Sequence, residues 1–203
     1  MELAAPKQVR TQETKQKIYK AAISILKKKG FPYLTVSNIC SVAGVSNGTF
    51  FYHFKTKDEL LAYYNFNKFA EYRAEHNFET VVKDMPFDEK ILTFYSYWAD
   101  YVEHVGLDFF SNYYNTSNAS LDVRLWNRRD PVSIWNYPGE CLKTAKEEGW
   151  LKPELSVDHC AVILATITKG VVFDWCLSNG ATNMREAIKE IMCPYLSSIR
   201  AGS

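Results

Sequence analysis

The segment VSNGTFFYHFKTK, residues 45–57, decides the reading of this chain. Ser46 is a favoured N-cap residue for a helix over 47–54. Gly48 stands in the first turn of that helix, where it costs helical stability. On a wheel of about 100° per residue, Phe50 and Phe54 share one side. Gly48, Thr49 and Tyr52 point the other way, with Asn47, Phe51 and His53 at the margins. A helix that needed only solubility would carry Glu and Lys on its outer side. Small, polar and aromatic side chains suit base edges, thymine methyls and phosphates instead, and a glycine lets a partner approach the backbone. Thr56 and Glu59 form a T-x-x-E capping box that starts the next helix. Its first residue, Lys57, opposes the helix dipole. Beside free N–H groups the same ammonium makes an anion site.

Upstream, Thr35 can cap a short helix over 36–43, with Val36, Ile39 and Cys40 inward and Gly44 as its breaker. Two short helices joined by a glycine-containing turn make a helix-turn-helix. Before them, Ile18, Ala22, Ile25 and Leu26 line one face of a longer helix. Lys27, Lys28 and Lys29 complement the dipole at its end, and Gly30 suits a left-handed cap. Residues 1–57 hold ten Lys/Arg and two acids, a balance of +8, while residues 58–203 come to −7. A basic head on an acidic body points either to a polyanion partner for the head or to lysines that simply solvate helix surfaces.

The stretches IYKAAISILKKKG, LTVSNICSVAGVSNGTFFYHF and KTKDELL resemble the DNA-binding domain of TetR-family (tetracycline-repressor-like) transcriptional regulators over residues 14–61. The resemblance implies an all-α fold: an N-terminal three-helix helix-turn-helix domain and a C-terminal helical domain for ligand binding and dimerisation. It sets domains of 1–57, with 1–10 as a flexible arm, and 58–203. It implies that Asn47, Gly48, Thr49, Phe51, Tyr52 and His53 face the major groove, while Lys57, Thr35 and Ser37 hold phosphates. The family usually has tyrosine where this chain has Phe51.

The remainder reads as helices, about nine in all. The fourth reaches about Asn77, the fifth follows Pro86 to about Val105, and a short piece covers 107–114. A seventh starts at Pro131 and ends near Glu148. The eighth runs from Ser156 to Ser178. The ninth opens at Asn183 and Glu186 and carries Pro194, where a kink or an early end is expected. The eighth is apolar almost all round and must be covered on both sides. In the TetR family the last two helices form a four-helix bundle with their mates. By that likeness Leu164, Ile167, Val171, Trp175, Ile188, Ile191, Met192 and Tyr195 are candidates for a homodimer interface.

Of the 30 aromatic residues, 23 follow position 57. Tyr95, Trp98, Tyr113, Tyr114, Trp126 and Trp135 are candidate walls of an effector pocket, since Tyr and Trp join an apolar surface to a polar handle. The partners expected are double-stranded DNA with a palindromic operator, a second copy of the chain, and a small hydrophobic or aromatic effector. The leading function is a repressor released from its operator by that effector. The alternative is an architectural or adaptor DNA-binding protein without one.

Five scattered cysteines and four histidines show no metal-ligand spacing, so no metal or cofactor is expected. No paired carboxylates, nucleophile elbow or phosphate loop argues for an enzyme. No apolar run approaches the ~18 residues of a membrane span, the best, 160–168, ending at Lys169. The polar N-terminus lacks a signal-peptide stretch, so a cytoplasmic location without a membrane partner is expected.

Overall fold

A computed structural model describes residues 6–114, 117–118, 121–122 and 136–202, with side chains from Arg10 onward. Among these residues the fold is all α, with no strand beyond a single bridge between Leu151 and Arg200. Ten α-helices are described, one more than expected. They are α1 (Pro6–Lys29), α2 (Val36–Ala43), α3 (Asn47–His53), α4 (Lys57–Glu75), α5 (Phe78–Val82), α6 (Phe87–Val105), α7 (Leu107–Tyr113), α8 (Asn136–Glu147), α9 (Val157–Leu177) and α10 (Met184–Ile199). The chain divides into two compact units, Met1–Tyr64 and Asn65–Ser203.

In the first unit, α1 packs on α2 and α2 on α3. Ile18, Ala22, Ile25, Leu34, Ile39, Cys40, Phe50, Phe54, Leu60 and Leu61 are buried there. The periodicity that predicts the first helix supplies three of them. Residues 6–10, expected within a flexible arm, belong to α1. Pro6 leads that helix, where its missing N–H costs no hydrogen bond. Gly30 (φ 80°) ends α1 and leads into a 3-10 turn over Phe31–Tyr33.

In the second unit, α6 packs against α5, α7, α8 and α10, and α9 against α7, α8 and α10. Phe69, Phe78, Phe94, Tyr95, Trp98, Tyr101 and Phe110 fill the interior. Each such ring taken out of water contributes about 1.5–3 kcal/mol. Arg185 Nε and Nη2 both donate to the Asp100 carboxylate, tying α10 to α6. Five-residue α5 is the helix that periodicity missed. It follows Asn77, whose φ of 55° turns the chain out of α4. Pro194 does not end α10, which continues to Ile199. The carbonyl it deprives of a partner belongs to Glu190, and both residues are exposed.

Helix α9 corrects the expectation about membrane spans: it has the length and mean hydropathy, 1.7, to cross a bilayer. Averaged hydropathy tolerates the charged residues that interrupt an unbroken run. Here α9 is a bundle helix that buries Cys160, Leu164, Ala165, Thr168, Val171, Val172 and Trp175. Its Lys169 Nζ donates to the Leu121 carbonyl at 3.0 Å.

Candidate nucleic-acid interface

Local hydrogen bonds place α2 and α3. Thr35 Oγ1 accepts the Asn38 N–H at 3.2 Å and starts α2. Gly44, at φ 66°, ends it, and the N–H groups of Gly44 and Val45 both return to the Cys40 carbonyl. Glycine adopts that left-handed backbone without the Cβ penalty other residues meet. Ser46 Oγ then accepts the Thr49 N–H at 3.1 Å and starts α3. Phe50 and Phe54 are buried, at 0% and 1% exposure, and anchor α3 to its unit.

The opposite side of α3 is open. Asn47 and Gly48 are exposed, and Thr49 and His53 are half-buried. Phe51 is 46% exposed and Tyr52 70%. Phe51 stands edge-on to Phe50 at 5.4 Å between centroids, and Tyr52 edge-on to His53 at 5.1 Å. The interior does not demand glycine at 48: a Cβ there would meet only Ser46 Oγ, at an ordinary 3.7 Å. What Gly48 keeps clear is therefore the outside of the helix. The His53 imidazole is held below its ordinary pKa of 6.5 by desolvation and by the nearby Lys15 charge. It is neutral at pH 7, so it offers hydrogen bonds rather than a cation.

Around Lys57 the capping box is offset by one residue. Thr56 Oγ1 accepts the Glu59 N–H at 3.0 Å, but Glu59 Oε2 accepts the N–H of Lys55, at 2.6 Å. The half-buried Lys57 carries its ammonium 5.2 Å from the centroid of the Phe31 ring. A cation–π contact of about 0.5–1 kcal/mol offsets the dipole cost at this position. Phe31 is a residue that sequence reasoning missed; its only signal was an aromatic following Gly30. Lys15 was missed too. Its Nζ lies 4.0 Å from the Tyr63 ring centroid and 5.4 Å from that of Phe54, so one charge of the basic head serves packing. Thr35 and Ser37 are exposed at the start of α2. Thr35 Oγ1 accepts its capping bond and keeps its proton for another acceptor.

Residues 18–64 match the family model described as bacterial regulatory proteins, tetR family. Over this stretch the chain is similar to the DNA-binding domain of TetR-family regulators. Over 49 residues it is 45% identical to the uncharacterized HTH-type transcriptional regulator YerO of Bacillus subtilis (strain 168); the match covers 24% of this chain and spans 17% of that relative's length. Two solved structures share the fold over nearly the whole chain. One is Thermus thermophilus FadR, a TetR-family transcriptional repressor in complex with lauroyl-CoA: TM-score 0.67, 20% identity, covering 90% of this chain and 92% of that one. The other is the fatty acid degradation regulator FadR of Bacillus halodurans: TM-score 0.54, 19% identity, covering 96% and 97%.

In the helical body of the chain, Tyr95, Trp98, Tyr113 and Tyr114 are all buried. Trp98, Tyr113 and Tyr114 come together around Phe110, at centroid distances of 6.0, 6.3 and 6.0 Å. Tyr95 meets Phe94 at 5.2 Å. Burial raises the phenol pKa values of Tyr95 and Tyr114 well above the ordinary 10.0. Trp126 and Trp135 lie outside the described residues.

The residues expected at a dimer interface divide differently. Leu164, Val171, Trp175, Ile188 and Met192 are enclosed within the protomer, at 0–6% exposure. Ile167 and Tyr195 are half-buried, and Ile191 is 49% exposed. The open apolar side of α9 is the other one, with Phe173 44% and Leu177 70% exposed. A helix apolar all round does not announce which side its own neighbours take; α7, α8 and α10 of the same protomer cover the side that carries Leu164, Val171 and Trp175.

Proposed function

We propose that the protein is a homodimeric transcriptional regulator. Each protomer reads half of a palindromic operator with α3, and a small hydrophobic or aromatic molecule in the helical body releases the DNA. Asn47, Gly48, Thr49, Phe51, Tyr52 and His53 enter the major groove, and Thr35, Ser37 and Lys57 hold phosphates. Residues 1–57 are the reading head, and 58–203 bind the effector and dimerise. The observation that carries the reading is the outward side of α3. It leaves two large aromatics, Phe51 and Tyr52, in solvent beside a glycine the interior does not need. The exposed Phe173, Leu177 and Ile191 support a homodimer, since a second copy would cover them through a two-fold interface. The aromatic interior, with a repressor–acyl-CoA complex among the fold's relatives, supports an internal effector. A cytoplasmic location accords with this role.

Selection of duplexes from a random pool tests it. The protein is expected to enrich a palindrome with half-sites about 10 base pairs apart, or a multiple of that. No enrichment at low salt would contradict the reading. An enriched site that no metabolite mixture releases would leave the architectural protein without an effector.

A further inference from the structure

Helices α4 and α6 meet along a seam in the second unit. Tyr101 Oη lies 2.9 Å from Asn65 Oδ1, Trp98 lies edge-on to Phe69 at 4.9 Å, and the Arg73 guanidinium is 5.4 Å from the Phe94 ring. Asn65, Phe69 and Arg73 stand four residues apart, so they form one stripe of α4 about 12 Å long. Three atoms on the seam are buried without a hydrogen-bond partner: Asn65 Nδ2, Trp98 Nε1 and Arg73 Nε. Asn65 and Trp98 are 99% and 98% buried, from exposures of 1% and 2%. All three atoms can only donate. An orphaned buried donor bears its full desolvation cost, and three along one seam depart from the rule that buried polar groups are paired.

Arg73 is the informative member. Its guanidinium lies among four rings, 4.4 Å from Phe78, 5.3 Å from Tyr137, 5.4 Å from Phe94 and 5.8 Å from Phe69. The edge bearing Nε and Nη2 is the fork that grips a carboxylate with two bonds. In Arg185 both of those nitrogens are used, one on each oxygen of Asp100. In Arg73 only Nη2 is engaged, by Glu79 Oε1, and Glu79 itself is 68% exposed. The fork is half filled by a surface residue that has little else to hold it.

We infer that the α4–α6 seam binds an amphipathic carboxylate, whose head takes both teeth of the Arg73 fork in place of Glu79 and whose apolar or aromatic body lies against Phe69, Phe94 and Trp98. This rests on the effector reading above and names the chemical class of that effector. Asn65 and Trp98 offer further donors to an acceptor carried by the body.

The test is direct binding to the full chain without DNA, by calorimetry and thermal shift. The probes are two pairs matched in body: naphthoate against naphthylmethylamine, and dodecanoate against dodecylamine. At least one carboxylate is expected to bind and raise Tm, and its amine to do neither. Glu79→Gln, which removes the competing charge, should tighten the carboxylate about tenfold, whereas Arg73→Lys, which keeps charge but loses the fork, should weaken it at least tenfold. Equal binding by the amines, binding by neither carboxylate, or a Glu79→Gln affinity no better than wild type overturns the inference. Fluorescence of an operator duplex separates the two readings. A carboxylate that binds but leaves the DNA in place sinks release by the effector and spares the seam. Release by amines alone does the reverse.

Discussion

At the scale of single residues, the interface is a set of small departures from what a solitary helix would choose. Gly48 weakens α3 where the interior does not demand a glycine, and Lys57 opposes a dipole with its ammonium resting over the Phe31 ring. His53 adds a titration. Its pKa is lowered in the free protein, and approaching phosphates would raise it, so binding takes up a proton. Affinity for the duplex is therefore expected to rise as pH falls through and below the ordinary histidine value, by up to about tenfold per pH unit, the limit for one proton. Fluorescence anisotropy at several pH values checks this, with His53→Gln expected to flatten the slope. An unchanged slope in His53→Gln would assign the dependence elsewhere. The same lowered pKa makes the unfolded chain the better proton acceptor, so His53 costs the fold stability as pH drops below 6.5.

At the scale of elements, cap chemistry explains what was legible in the sequence. Thr35, Gly44 and Ser46 each act within a few residues of themselves, so α2 and the start of α3 were readable from local pattern alone. The contact of Lys57 with Phe31 joins residues far apart in the chain, and no local pattern announces it. Nor does pattern reveal which side of α9 faces its own protomer, because hydrophobic residues surround that helix. Short α5 carries too few residues to display a period. The single cap of α3 makes a prediction. Seven residues with one buried side chain, Phe50, depend heavily on Ser46 Oγ. Ser46→Ala should cost about 1 kcal/mol of stability, raise hydrogen exchange in α3, and weaken DNA binding. Unchanged exchange in α3 would show that the helix is held by packing alone.

At the scale of the whole molecule, the proposal requires two reading heads and therefore two chains. The open apolar side of α9, with Phe173 and Leu177, and the exposed Ile191 of α10 supply a surface for the second copy. Leu177→Asp should convert the dimer to monomer in light scattering and weaken operator binding at least tenfold. Because Leu177 is 70% exposed, the fold should survive the change. A variant that stays dimeric would place the interface elsewhere. The account as a whole stands on α3 reading DNA while Lys57 grips its backbone, and one measurement addresses both together: affinities of wild type, Asn47→Ala and Lys57→Ala for the selected duplex and for every single-base change in it. Asn47→Ala should flatten the preference at one position per half-site, by about 1–3 kcal/mol, and Lys57→Ala should lower all affinities alike and reduce the salt slope by about one. Profiles identical to wild type in both variants would contradict the account.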